Sequence, residues 1–399
     1  MDDTDSKQPK GASNRTLITL LCSVVGIGAS FTAYRVLRGG QQATIEFIEP
    51  ELKQSKEGLG KKVRYIKNFP DSTLVRVTMN EKLAKLVFPQ LQHSSNQWDP
   101  LSYFGYPPNF DQVVEFSAHP DGRYRVKTNS LGMRRDSEPS PTKPDTRILV
   151  AGDSHADGVG TNAENFTTLL EGMFNEDAGP VVTEVLNACR GGGTPYTYLG
   201  TLEKFVDLKP DVFLVWFTGS NDFVDMLFLG KVFEQRPRVG LSVEDEVRRT
   251  SARELNHAVY TSGPHSAFYL TVRPEDQELS LKLARDILRE ITLICTRDGI
   301  QPQLVFMPSP GFLIPPDGCQ VLGKIIDQLG IPMEELEAQA RSMEAALTGI
   351  CDEFAIPMLN LRECLQEDPE VSFFKEDLHL NPHGHRIVAK ALHAWMQSQ

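Results

Sequence analysis

Beyond residue 146 the chain alternates between short apolar runs and longer stretches whose apolar positions recur at helical spacing. The runs RILVAG at 147–152, VTEVLNA at 182–188, DVFLVWF at 211–217, QLVFMP at 303–308 and IPMLNL at 356–361 are almost continuously apolar. Strands of a parallel sheet covered on both faces have this character. Thr161 and Glu164 form a T-x-x-E box ahead of Phe166, Leu169, Leu170 and Phe174, which predicts a helix directly after the first strand. A second helix is predicted from about Glu275 to Asp298, with Leu283, Ile287, Ile291 and Ile294 on one face, and a third from Met333 to about Glu353. A last one follows Asn381-Pro382, a cap with proline in the first turn, and carries Ile387, Val388, Ala391, Leu392 and Trp395. The pattern predicts an α/β fold: a three-layer α/β/α sandwich on a central parallel sheet.

The first 145 residues read differently. Residues 1–15 form a polar tail without periodicity. From Leu17 to Tyr34 the chain carries no charge and is bracketed by Arg15 and Arg35, long enough to cross a bilayer. We therefore expect a transmembrane anchor over 16–35; a cleaved signal peptide is the rival reading, but the run is long for one and no clear cleavage site follows. Lys7, Lys10 and Arg15 precede the span, and the slight bias they give predicts a single-pass membrane protein with its catalytic part outside the cytoplasm. Residues 36–145 form an accessory region in which LVRVTM at 74–79 and YRVKTN at 124–129 alternate as half-buried strands do. The connector SEPSPTKPD closes it, and the main domain spans 146–399.

A formal net charge of −12 opposes binding to a phosphate backbone, and the lysines and arginines between Lys53 and Lys67 are interleaved with acids. No nucleic-acid partner is expected. The six cysteines have neither zinc-site spacing nor the density of a disulfide scaffold, so no metal or other cofactor is predicted.

Candidate chemistry gathers after the predicted strands, where sheets of this kind bind ligands. After the first, Gly152-Asp153-Ser154-His155 places a serine hydroxyl at a strand-to-helix turn. A lone G-D-S is more often an ordinary turn. After the second, Asn187-Ala188-Cys189-Arg190-Gly191-Gly192-Gly193-Thr194 exposes backbone N–H groups that suit a developing oxyanion. After the third, Gly219-Ser220-Asn221-Asp222 offers a side-chain amide to the same oxygen. Near the C-terminus, Glu376-Asp377-Leu378-His379 brings a base and two candidate acids to the loop before the last helix.

In these four blocks the chain resembles the SGNH (GDSL-like) hydrolases, over about residues 146–399, and TNSLGMR at 128–134 resembles N-terminally anchored bacterial members. The resemblance implies a serine esterase with Ser154 as nucleophile, His379 as base, and an oxyanion hole from Ser154, Gly192 and Asn221. Gly191 and Gly193 compete with Gly192 for that place. Asp377 or Glu376 would orient the histidine: Asp377 if the loop is extended, so that alternate side chains face one way, and Glu376 by the spacing more usual in the family. The implied substrate is an ester-bearing small molecule, glycan or lipid, with water or another alcohol as acyl acceptor. Two other readings are weighed. His379, His383 and His385 form a compact trio that suits a metal, but the proline-led helix start explains it without one. A silent binding module would keep the fold without turnover. The segment from Phe223 to about Tyr269 is the expected specificity element, although core packing is the stronger explanation of its cluster FVDMLFLGKVF.

Overall fold

The computed structural model describes residues 64–65, 69–177, 182–234, 240–315 and 318–399. Two antiparallel hairpins lie ahead of the main sheet: β1 (Gln97–Asp99) with β2 (Tyr103–Gly105), and β3 (Asp111–Glu115) with β4 (Arg123–Lys127). Of the segment 74–79, Val77–Thr78 forms a strand, paired antiparallel with Arg64–Tyr65.

The main sheet has five parallel strands, β5 (Thr146–Ala151), β6 (Thr183–Asn187), β7 (Val212–Thr218), β8 (Gln301–Met307) and β9 (Met358–Asn360), in the order β9-β8-β7-β5-β6. The chain passes from β5 to β6 on one side and then to β7 on the other. The carboxyl end of β5 is thus the switch point, where a crevice opens.

The period of two along the strands sorts the core into two layers. Leu149 and Ala151 of β5, with Phe213, Val215 and Phe217 of β7, face one cluster. Its helices are α3 (Pro195–Phe205), α4 (Asp222–Phe233), α8 (Pro274–Asp298) and α10 (Met333–Glu353). Ile148, Val150, Leu214 and Trp216 face the other, against α2 (Phe166–Asp177), α5 (Val243–Leu255), α6 (His257–Ser262), α7 (His265–Val272), α9 (Gln320–Leu329) and α11 (Pro382–Gln397). Trp216 is fully buried, and truncating such a side chain to alanine costs about 3–5 kcal/mol. Leu74, Phe88, Tyr103 and Phe104 of the accessory region join the first cluster, so this region shares the core of the sheet.

Two local expectations are refined. Thr161 and Glu164 close their capping box around a single 3-10 turn, and α2 starts only at Phe166. The cluster after Asn221 becomes α4, buried on almost every side: Phe223, Val224, Met226, Leu227 and Phe233 lie in the core, and Asp222 and Lys231 are buried with them. The described cysteines, Cys189, Cys295, Cys319, Cys351 and Cys364, are all free.

The expected membrane span from Leu17 to Tyr34 lies outside the described residues. Among the described residues no helix is long and apolar enough to cross a membrane. The placement as a single-pass membrane protein is corrected accordingly: it rested on that apolar run and its basic flank, and no described element carries it.

Candidate active site

Three loops meet at the carboxyl ends of β5, β6 and β7. After β5 the chain turns at Gly152 into a one-turn helix, α1 (Ser154–Asp157). A Cβ at Gly152 would lie 2.7 Å from both Ala156 and Trp216, so only glycine lets strand and helix pack this closely. Asp153 caps α1, accepting the His155 N–H at 3.0 Å. Ser154 is therefore the first helical residue, and its N–H has no acceptor within the helix.

The Ser154 Oγ lies 2.8 Å from Nε2 of His379. His379 comes from the loop before α11, where Phe374 N–H donates to the His379 carbonyl at 2.9 Å and Leu378 N–H donates to the Phe374 carbonyl at 2.8 Å. Nδ1 of His379 stands 3.1 Å from Oδ2 of Asp377, while Oδ1 accepts the His379 backbone N–H at 3.1 Å. The Nδ1 contact is off the line of a straight hydrogen bond, so its attraction is chiefly Coulombic. Glu376 is exposed, and its backbone carbonyl accepts from Asn256 Nδ2 at 3.1 Å. The structure thus brings Asp377, and not Glu376, to the imidazole.

The route differs from an extended loop. Leu378, between acid and base, is buried with φ +60°, a left-handed conformation unusual for leucine. Its apolar side chain anchors the turn in the core beneath the sheet. The acid and base converge because the backbone folds back on itself.

Burial pushes the His379 imidazole down, but the Asp377 carboxylate, with Asp153 and Asp157 adding to it, outweighs this and holds it above the ordinary histidine value. Against its face lies His155, ring centroids 4.6 Å apart and planes inclined by 24°. Burial, and then the nearby His379, push His155 well below the ordinary value, so it stacks as a neutral ring. Asp153 is raised by its complete burial, against the pull of hydrogen bonds from Asn221 and Thr218.

The glycine loop sorts its own amides. Gly191 N–H donates to Asp157 Oδ2 at 3.1 Å, and Gly193 N–H to the Arg190 carbonyl at 2.8 Å. Gly192 N–H has no hydrogen-bond partner among the described residues. Gly192 has φ +76°, and a Cβ there would come within 2.4 Å of Gln90 Nε2. Asn221 stands at the N-cap position of α4 with no side-chain cap hydrogen bond; its Nδ2 donates one hydrogen to Asp153 Oδ2 at 3.2 Å, leaving the other uncommitted.

The histidine trio does not converge. His383 is exposed, and His385 is buried with Nδ1 accepting the Phe166 N–H at 3.4 Å. Among the described residues there is no group of three or more metal-ligating side chains.

Several residues around the site carry no role in the sequence reading. Arg134, in TNSLGMR, is buried and donates to the carbonyl oxygens of Asp157, Gly158 and Gly160, which α1 and the turn after it leave unpaired. Asn129 shapes that segment by accepting the N–H groups of Leu131 and Met133, both at 3.0 Å. Asp157, one turn beyond Ser154, and Arg190, inside the glycine block, were visible only as neighbours of the blocks.

No protein-family model matches the chain, and no curated protein does. Solved structures similar to it include an acetyl xylan esterase, AlAXEase, at 15% identity over 63% of this chain and 100% of that one, with a TM-score of 0.37. An acetyl-xylooligosaccharide esterase from Geobacillus Stearmophilus is similar at 14% identity over 63% and 94%, TM-score 0.37. A lipase/acylhydrolase from Enterococcus faecalis is similar at 11% identity over 63% and 96%, TM-score 0.35.

Proposed function

We propose that this protein is a serine ester hydrolase of the SGNH type. The observation that supports it most is the line from Ser154 Oγ through the His379 imidazole, 2.8 Å on one side, to Asp377, 3.1 Å on the other. A serine hydroxyl is a weak nucleophile until a neighbouring base takes its proton.

In the proposed reaction Oγ of Ser154 attacks the ester carbonyl as Nε2 of His379 takes the hydroxyl proton. The imidazolium so formed is stabilised by Asp377. The carbonyl oxygen becomes an oxyanion, for which the uncommitted backbone N–H groups of Ser154 and Gly192 and the second Nδ2 hydrogen of Asn221 are the proposed donors. His379 returns the proton to the departing alcohol and leaves an acyl-serine. Water, deprotonated by the same imidazole, then releases the acid and restores the serine. The substrate class in this proposal is the ester of a glycan or lipid.

A panel of p-nitrophenyl esters and acetylated glycans tests it, with purified wild type beside Ser154→Ala. Turnover that disappears with the serine supports the reading. Equal turnover in the variant refutes it.

A further inference from the structure

Asp157 stands three residues beyond Ser154 and is buried, yet it reaches neither the serine hydroxyl nor the base by hydrogen bond. Its carboxylate is instead where three separate stretches of chain meet. Oδ2 accepts the Gly191 N–H at 3.1 Å and the Tyr106 hydroxyl at 3.0 Å, and lies 3.4 Å from Nη1 of Arg190; Oδ1 faces Arg134 at 3.3 Å. The Arg190 guanidinium is sandwiched in turn, 3.7 Å over the Tyr106 ring, with Nε donating to Asn96 Oδ1 at 2.6 Å. A planar guanidinium held by stacking and by directed hydrogen bonds has little freedom left.

The nucleophile turn and the glycine loop come from different strands, β5 and β6, whose pairing runs on into the loops: Ala188 N–H donates to the Val150 carbonyl at 3.0 Å and Arg190 N–H to the Gly152 carbonyl at 2.9 Å. That ladder ends at Arg190, two residues short of Gly192, and Asp157 extends the link beyond it: it sits on the same helical turn as Ser154 and holds the loop at Gly191, one residue ahead of Gly192. An oxyanion donor helps only if it is aimed before charge develops, within a fraction of an ångström.

We propose that Asp157 is a positioning residue that sets the Gly192 amide against Ser154, and that Tyr106 and Asn96, from the region preceding the main sheet, complete the clamp through Arg190. This rests on the serine-ester reading above. The accessory region is on this account a working part of the active site, since it holds the Asp157 and Arg190 side chains in place.

The test is a kinetic comparison of the full-length protein with Asp157→Asn, Tyr106→Phe and Ser154→Ala. Each is assayed on p-nitrophenyl acetate and on its thionoester, whose sulfur fits an oxyanion hole poorly. Asp157→Asn should lower kcat about 30-fold with KM within about twofold, and contract the ester-to-thionoester rate ratio about tenfold. Tyr106→Phe, which removes one oxygen and should fold whatever Asp157→Asn does, should lower kcat about fivefold and contract the ratio in the same direction. A ratio unchanged in both variants overturns the positioning role, whether kcat is preserved or falls only with the folded fraction. Turnover that survives Ser154→Ala is a different failure, that of the serine-ester reading itself.

Discussion

The rings of His155 and His379 lie face to face, 4.6 Å between centroids and 24° between planes, so the residue after the candidate nucleophile supports the candidate base. A stacked pair of this kind contributes about 0.5–1.5 kcal/mol beyond its buried area, which is the scale of a tenfold rate effect. His155→Ala should therefore lower kcat about tenfold, while His155→Phe, which keeps a ring in the gap, should stay within about threefold of wild type. Steady-state kinetics on one ester decides. If phenylalanine loses as much as alanine, the stack is not what holds the imidazole.

Asp377 should matter far more than Glu376. Asp377→Asn keeps the size and removes the charge beside Nδ1, and a loss of about a hundredfold or more in turnover is expected. Glu376→Gln alters an exposed side chain and should leave kcat within about twofold. The reverse ranking, measured on the two amide variants, would transfer the orienting role to Glu376.

The pH profile follows from the sign of the His379 shift. The imidazole must be neutral to accept the serine proton, and its value in the folded protein lies above the ordinary 6.5 despite burial, because of Asp377. Activity should therefore be full above that raised value and fall as pH drops through it, so the acid limb of kcat/KM lies above 6.5. In Asp377→Asn the largest Coulombic support is gone and the limb should move to lower pH. A limb that does not move assigns the titration to another group.

His385 ties acid stability to the fold. It is buried against Phe166, and burial, with Arg134 adding to it, pushes its imidazole down to about 3. The unfolded chain takes up a proton near 6.5 that the folded chain refuses. The stabilising difference is thus intact above pH 6.5 and is lost progressively as pH falls toward 3, about 1 kcal/mol over the first unit below 6.5 and up to about 1.4 kcal/mol per unit after that. Melting temperatures between pH 7.5 and 5.5 should drop more steeply for wild type than for His385→Gln. Parallel slopes would mean that His385 takes up its proton without unfolding.

Asn221→Ala should reduce turnover by roughly a hundredfold if its uncommitted amide hydrogen meets the oxyanion. The loss should fall on kcat with KM nearly constant. An unchanged kcat would leave Asn221 as the N-cap residue of α4 and nothing more.

The parts of this site that were legible in the sequence are those tied to local pattern. Ser154, Gly192 and Asn221 follow apolar strands whose period and turn chemistry mark their ends, and His379 precedes a helix with a plain Asn-Pro start. What the sequence hid is held together over long separations. Tyr106 and Asp157 stand 51 positions apart, and Arg190 meets Asn96 across 94. Arg134 lies in TNSLGMR, but most of its acceptors are backbone carbonyls, which leave no mark in a sequence. The sequence leaves Asp377 and Glu376 both open, Asp377 for an extended loop; the buried, left-handed Leu378 that turns the chain instead depends on the core beneath it. The apolar run near the N-terminus lies outside the described residues, and among those no helix is long and apolar enough to cross a membrane.

The central claim is that Ser154 is a nucleophile activated by His379. Incubation with a fluorophosphonate, followed by intact mass and peptide mapping, tests it directly, because the probe bonds only to an activated hydroxyl. The account predicts one adduct per chain, mapped to Ser154, absent in Ser154→Ala and formed at least about a hundredfold more slowly in His379→Ala. An unlabelled wild type, or an adduct on another residue, would contradict it.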